Sequence, residues 1–334
     1  MDAELQPQAE FKLSARPPFD FYSSVEAEIE VRRMEGYPPL VDYYDGRAYW
    51  ATLRLLSGEV AGVRVEPDPP DRGIPGQGLK VTLYCASRPD AAALEAARRT
   101  IARCWGLDEP TEEVYSLARR PAAVGRAVER HRGLRALTWQ EAFQPVCIAV
   151  LLQNAPVART NAMTAALALR YGIPVRFAGL ELRHWFPPQR LAGVDPGELR
   201  SECRLGFRAE RLVGIARALA DGRPDLARVG EMPLAEAREA LLTLKGIGEY
   251  SADFILLGMR RWEAFPVDVW SARQFYRVFF PGQTVPEMAA AAAAVRRRAE
   301  ELWGSWRGLI WNFVLHELDQ LAEECEREAG AGRA

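Results

Sequence analysis

The apolar positions change period once along the 334-residue chain, near residue 106. Before that point they alternate over short runs at 48–56, 60–65 and 79–84, with Gly/Pro clusters such as 67–73 between them, which is the pattern of half-buried strands. Residues 90–104 then read as one amphipathic helix. Beyond it the apolar residues recur every three to four positions, and short Gly/Pro loops divide the chain into helices. These are expected at 111–118, 121–131, 138–153, 157–171, 197–203, 208–221, 234–242, 251–260, 269–279, 286–303 and 306–326.

Strands followed by a packed helix, then helices alone, predict an α+β chain. A small N-terminal antiparallel-sheet domain is expected over 19–106 and a mainly α-helical domain over 107–328. The polar, proline-punctuated residues 1–18 are expected to form a flexible arm. The stretch 174–196 is longer than most connections and carries Trp185 and Phe186, which either approach a substrate or anchor the loop on the core.

Composition narrows the class without naming a partner. With 49% hydrophobic and 26% charged residues the chain is an ordinary globular one, and no apolar run is long enough to span a bilayer. The polar, acidic N-terminus lacks the features of a signal peptide, so a cytoplasmic location is expected. Net charge is −2, divided as −4 over residues 1–100 and +2 over the rest, so any nucleic-acid contact must come from local placement and main-chain amides. Five cysteines, at 85, 104, 147, 203 and 325, contain no CxxC, and the three histidines are far apart. Neither a disulfide framework nor a metal-ligand set is indicated.

Residues 241–273 hold the densest chemistry. A helix-like segment ends at Leu244, a tight Gly246-Ile247-Gly248 turn follows, and a second helical pattern starts at once. Glycine at both ends of so short a turn lets amide N–H groups face outward beside a positive helix N-terminus, which suits a phosphate. A carboxylate, Asp268, then follows Pro266 and Val267. It precedes a helix and could serve as its N-cap.

LxGIGxxSAxxI from Leu244 to Ile255, followed about a dozen residues later by Pro266-Val267-Asp268-Val269-Trp270, resembles the helix-hairpin-helix glycosylases of the HhH-GPD superfamily. Within that superfamily the chain is similar to DNA-3-methyladenine glycosylase II, with some features of the 8-oxoguanine enzymes. The resemblance covers residues 130–315 by motif and 20–105 by pattern. It implies an enzyme that flips a damaged base out of duplex DNA and hydrolyses its N-glycosidic bond.

Asp268 is the catalytic residue that the resemblance implies, stabilising the cationic sugar of the transition state and helping to position water. Its apolar neighbours are expected to desolvate it in part. The nicking members place a lysine nucleophile at the position of Tyr250, so this chain is expected to remove bases without strand cleavage; Lys245, just before the turn, is the only nearby alternative amine. An aromatic at 250 matches the alkylpurine enzymes, where the ring stacks on an electron-poor base. Trp270 is expected to join it. Lys245, Gly246 and Gly248 are expected to grip the strand, Gln153 and Asn154 to stand where the family places its wedge, and Arg273 to reach a phosphate.

The segment at Gly206 and Arg208 is also shared, and Arg208 and Arg211 are expected either to brace the fold, the preferred reading, or to touch DNA. No cofactor is expected to be required, although a structural monovalent cation on the hairpin backbone is typical of the family. The expected partner is double-stranded DNA with a damaged base, bound by a monomer, with no membrane or protein partner. Alkylated purine of the 3-methyladenine type is the leading substrate class. An 8-oxoguanine-type enzyme, favoured by Asn154, or a catalytically silent lesion binder are the alternatives.

Overall fold

The structure is a computed structural model and describes residues 4–32, 40–70 and 77–331. The N-terminal layer contains β1 (Gln6–Leu13), α1 (Phe21–Arg32), β2 (Tyr43–Tyr44), β3 (Tyr49–Arg54), β4 (Val60–Asp68), β5 (Gly78–Cys85) and α2 (Ala91–Trp105). The strands form one antiparallel sheet in the order β1-β5-β4-β3-β2. Alternation puts Val63, Val65, Val81 and Leu83 in a core with Phe21, Ile101 and Trp105, where the Phe21 and Trp105 rings stack 5.4 Å apart.

Two features depart from expectation. Gln6–Leu13, placed in the flexible arm, is an edge strand whose Phe11 pairs with Val81. Of its side chains only Phe11 is buried, so its apolar pattern is almost silent. The helix α1 lies where only strands were expected; Asp20 accepts a hydrogen bond from Ser23 N at 3.1 Å ahead of it, and Phe21 and Val25 are fully buried.

The helical layer follows: α3 (Thr111–Ala118), α4 (Ala122–Arg130), α5 (Phe143–Leu151), α6 (Val157–Tyr171), the hairpin β6 (Ile173–Phe177) and β7 (Leu180–His184), then α7 (Gln189–Ala192), α8 (Pro196–Glu202), α9 (Arg208–Ala220), α10 (Leu226–Glu231), α11 (Leu234–Leu242), α12 (Glu249–Gly258), α13 (Val269–Phe279), α14 (Met288–Trp303), α15 (Arg307–Val314) and α16 (Leu318–Ala331). Among the described residues no helix is long and apolar enough to cross a membrane.

The helix expected at 138–153 starts only at Phe143, because the residues before it are spent on the sheet. Gln140 donates to Arg54 O and accepts from Arg54 N, both at 2.9 Å. Beside it His184 Nε2 lies 2.9 Å from Glu141 Oε1 and His184 Nδ1 lies 3.0 Å from Thr52 Oγ1. Burial pushes the Glu141 carboxyl up, but the bonds and charges of His184 and Arg54 outweigh it and hold the group below its ordinary value.

The stretch 174–196 is likewise a structured hairpin and short helix. Phe177 packs against Trp50 and Tyr84. Its ring fills the space where a Cβ on Gly62 would stand, 2.3 Å from Phe177 Cγ, so any side chain at 62 would force the hairpin off the sheet. Trp185 and Phe186 are buried and stacked 4.7 Å apart, which makes them core anchors.

Candidate active site

The hairpin between α11 and α12 is held from three sides. Gly246 has φ +95, and a Cβ there would meet Arg211 Nε at 2.2 Å, so both backbone and packing require glycine. Gln153 Nε2 donates to Gly246 O at 2.9 Å, and Arg211 donates in turn to the Gln153 side-chain oxygen. Arg208, buried, donates to the Gln153 main-chain oxygen. Both arginines therefore brace the fold, as the sequence reading held. Beneath the turn Asp253, 1% exposed, accepts from Arg238 Nη2 at 2.8 Å and ties α12 to α11.

No side chain caps α12. Gly248 occupies the N-cap position in an extended conformation, and a Cβ there would meet nothing within 4 Å. Lys245 and Gly248 are exposed. An uncapped, open helix N-terminus next to a lysine presents amide N–H groups and a positive dipole end to an incoming anion.

The next helix is closed by its own residue. Asp268 is the N-cap of α13: its Oδ1 accepts from Ser271 N at 2.7 Å and from Ser271 Oγ at 2.7 Å, while Ser271 Oγ accepts from Asp268 N at 2.9 Å. Oδ2 has no partner among the described residues. The carboxylate is thus pinned by one oxygen and free at the other. The expected desolvation by its neighbours is not found: Asp268 is exposed, and so are Val269 (66%) and Trp270 (42%), while only Pro266 and Val267 turn inward.

A cavity of about 410 Å³ opens beside the hairpin. One face of α12 supplies Tyr250, Phe254 and Leu257, and one face of α5 supplies Gln144 and Ile148, continued by Leu152. Spacings of three and four residues put each set in line along its helix. Facing residues of α6 and α15, the segments 134–139 and 315–317, His131 and Trp262 complete the walls, with Ala27, Glu28, Val41 and Asp42 from the N-terminal layer. A smaller cavity of about 90 Å³ lies toward the sheet and shares Gln144 and Trp139.

Tyr250 is half-buried, and burial together with the negative charge of Asp268 pushes its phenol up to about 12. It is a neutral ring at physiological pH, close enough to Asp268 to sense its charge. Of the residues singled out from the sequence, Tyr250 lines the cavity, Asp268 stands near Tyr250 outside the lining, and Lys245, Gly246 and Gly248 form the turn.

Trp270, expected at the base, is not among the lining residues. Arg273 is exposed and bonds to none of the described residues. Asn154 is exposed at φ 51, whereas the Gln153 amide is spent on the hairpin and Arg211. Sequence reasoning missed Phe254, Trp139 and Gln144; for Phe254 the signal was its place one helical turn after Tyr250.

An open helix N-terminus at the hairpin, a carboxylate pinned at the start of α13 and an aromatic cavity beside them fit a base-excision DNA glycosylase of the helix-hairpin-helix type. Residues 147–304 match the HhH-GPD superfamily of base excision DNA repair proteins, and the chain belongs to that superfamily. It is 30% identical over 302 residues to DNA-3-methyladenine glycosylase 2 of Escherichia coli (strain K12), spanning 89% of this chain and 93% of that protein. A probable N-glycosylase/DNA lyase of Methanothermobacter thermautotrophicus is 33% identical over 193 residues, which span 52% of this chain and 61% of that relative. Among solved structures, the 3-methyladenine DNA glycosylase from Archaeoglobus fulgidus superposes with a TM-score of 0.73 at 20% identity, covering 92% of this chain and 98% of that one.

Proposed function

We propose that this glycosylase is monofunctional and removes an alkylated purine by hydrolysis. The observation that carries the reading is Tyr250: a neutral aromatic ring stands on the α12 face that opens into the cavity, and Lys245 is not among the residues lining that cavity. A ring offers its π face to an electron-poor, positively charged base, and a neutral phenol in place of an amine leaves no nucleophile for a Schiff base. With the base extruded toward Tyr250, the C–N bond breaks with its electron pair leaving on the base, the free Oδ2 of Asp268 stabilises the developing positive charge of the sugar, and water adds to the anomeric carbon and gives up its proton on that side. The hydrogen bonds at Oδ1 fix its direction beforehand.

The grip on DNA comes from the open N-terminus of α12, with Lys245 beside it. The same turn would hold a monovalent cation through main-chain oxygens. The Gly246 carbonyl accepts from Gln153 and the Leu244 carbonyl from Ile247 N, which leaves the Ile247 carbonyl free of main-chain donors among the described residues. Oxygen donors suit such an ion, whose contribution there would be to stiffen the turn.

The test is incubation with duplexes that each contain one lesion, read for abasic sites with and without alkali. Abasic sites at alkylated purine that become breaks only after alkali are expected. Breaks without alkali would overturn the monofunctional reading, and excision of oxidised guanine alone would overturn the substrate class.

A further inference from the structure

The cavity is larger and deeper than a purine stacked on Tyr250 requires. Its volume of about 410 Å³ falls in the range, roughly 300–1,000 Å³, of sites that enclose drug-sized molecules. Tyr250 lies in the first turn of α12, at the end nearest the hairpin, and the lining continues through Phe254 and Leu257 to Gly258. Eight residues of helix at about 1.5 Å each carry that wall some 12 Å inward. On the opposite wall Leu152, Ile148 and Gln144 descend α5 over the same number of residues.

The inner end has its own chemistry. Phe254 and Trp139 meet with ring centroids 6.3 Å apart, which makes an aromatic wall one turn below Tyr250. Gln144 lies at this end and is 6% exposed, yet its side-chain amide bonds to none of the described residues. An amide that lines a cavity with no protein partner is open to a hydrogen bond from water or a ligand. The neighbouring Ile148 keeps part of its side chain open to the cavity.

We propose that this inner compartment accepts a substituent of aryl size carried on the damaged base, with the purine at Tyr250, the added ring along Phe254 and Trp139, and the Gln144 amide facing its edge. The proposal rests on the base-removal reading above and extends its substrate class to bulky adducts. No new bond chemistry is involved, because the N-glycosidic bond broken and the water consumed are the same.

The test compares duplexes with a single 7-methylguanine or 7-benzylguanine, whose charged leaving bases differ only in the substituent. Single-turnover rates, corrected for spontaneous depurination, are expected to agree within about tenfold, whereas a pocket shaped to the methylated base would reject the added ring by a hundredfold or more. Ile148→Trp, which fills the compartment, should lower the benzyl-to-methyl ratio by about a hundredfold, and Ile148→Ala, which enlarges it, should hold or raise the ratio. Gln144→Leu should lower the ratio several-fold, with affinity for an abasic-site duplex serving as the folding control for all three variants.

Excision of 7-methylguanine with exclusion of 7-benzylguanine by the wild type would overturn this inference and leave the base-removal reading standing. A ratio unmoved by both Ile148 variants would overturn the placement of the ring. Inertness toward both duplexes would overturn both readings.

Discussion

Two helix N-termini flank this site, and they treat negative charge in opposite ways. α12 starts at Gly248 with no side chain on its amides and open space around its Cα. α13 starts at Asp268, whose carboxylate fills the same kind of position and is locked by Ser271. Both ends carry unsatisfied N–H groups and the positive end of a dipole. The first leaves them for an anion from outside, and the second uses them to hold an anion of its own in a set direction. On the function proposed above, a binding element and a catalytic element would arise from the same backbone physics through one residue's difference at the N-cap.

The largest expected effect comes from removing the charge at the second terminus while keeping its cap. Asn caps helices about as well as Asp, so Asp268→Asn should leave thermal stability nearly unchanged and lower single-turnover excision by about 10²–10³, the usual cost of losing one electrostatic stabiliser. Unchanged turnover would remove Asp268 from the chemistry.

Converting the first terminus into the second is the next test. Gly248→Asp gives α12 its own anion, and stability should rise by a few tenths of a kcal/mol while affinity for duplex DNA falls by about tenfold. Parallel movement of melting temperature and affinity would break the contrast.

Ser271→Ala removes the partner that closes the box. A loss of about 1 kcal/mol in denaturant unfolding is expected, with a smaller fall in excision than for Asp268→Asn.

The smallest effect concerns the ring between the two termini. The Tyr250 phenol is raised to about 12 from an ordinary 10.0, so the stability linked to its neutral form is fully present below about 10 and is lost as pH rises through 12. The phenolate absorbance difference between wild type and Tyr250→Phe should titrate near 12. In Asp268→Asn it should shift downward by a smaller step, because burial is the larger cause.

The two termini were the most legible part of the sequence. Their glycines and carboxylate lie within about two dozen residues, in a motif whose order is its geometry, and the bounds of α6, α11 and α13 follow from periodicity alone. The cavity was far less legible. Gln144 and Asn312 reach the space beside Tyr250 from helices distant in the chain, and neither sits in a motif of its own.

Local proximity also misled. Trp270 is two residues from Asp268, yet α13 carries its ring outward to 42% exposure. Gln153 was expected to contact DNA because it matches the family's wedge position, and only tertiary structure reveals Gly246 O and Arg211 as its partners within the protein. In β1 the edge position left one buried side chain, too few to register as alternation.

Gln153 has a consequence for how such an enzyme counts along a strand. Its amide joins the loop that ends α5 to the turn that precedes α12, so the two cannot move apart without breaking a half-buried bond. On the function proposed above, the spacing between phosphates at the turn and a nucleotide displaced beside the loop would be set by the protein and not by the lesion. Footprints on different damaged duplexes would share one register, offset from the lesion by the same number of nucleotides.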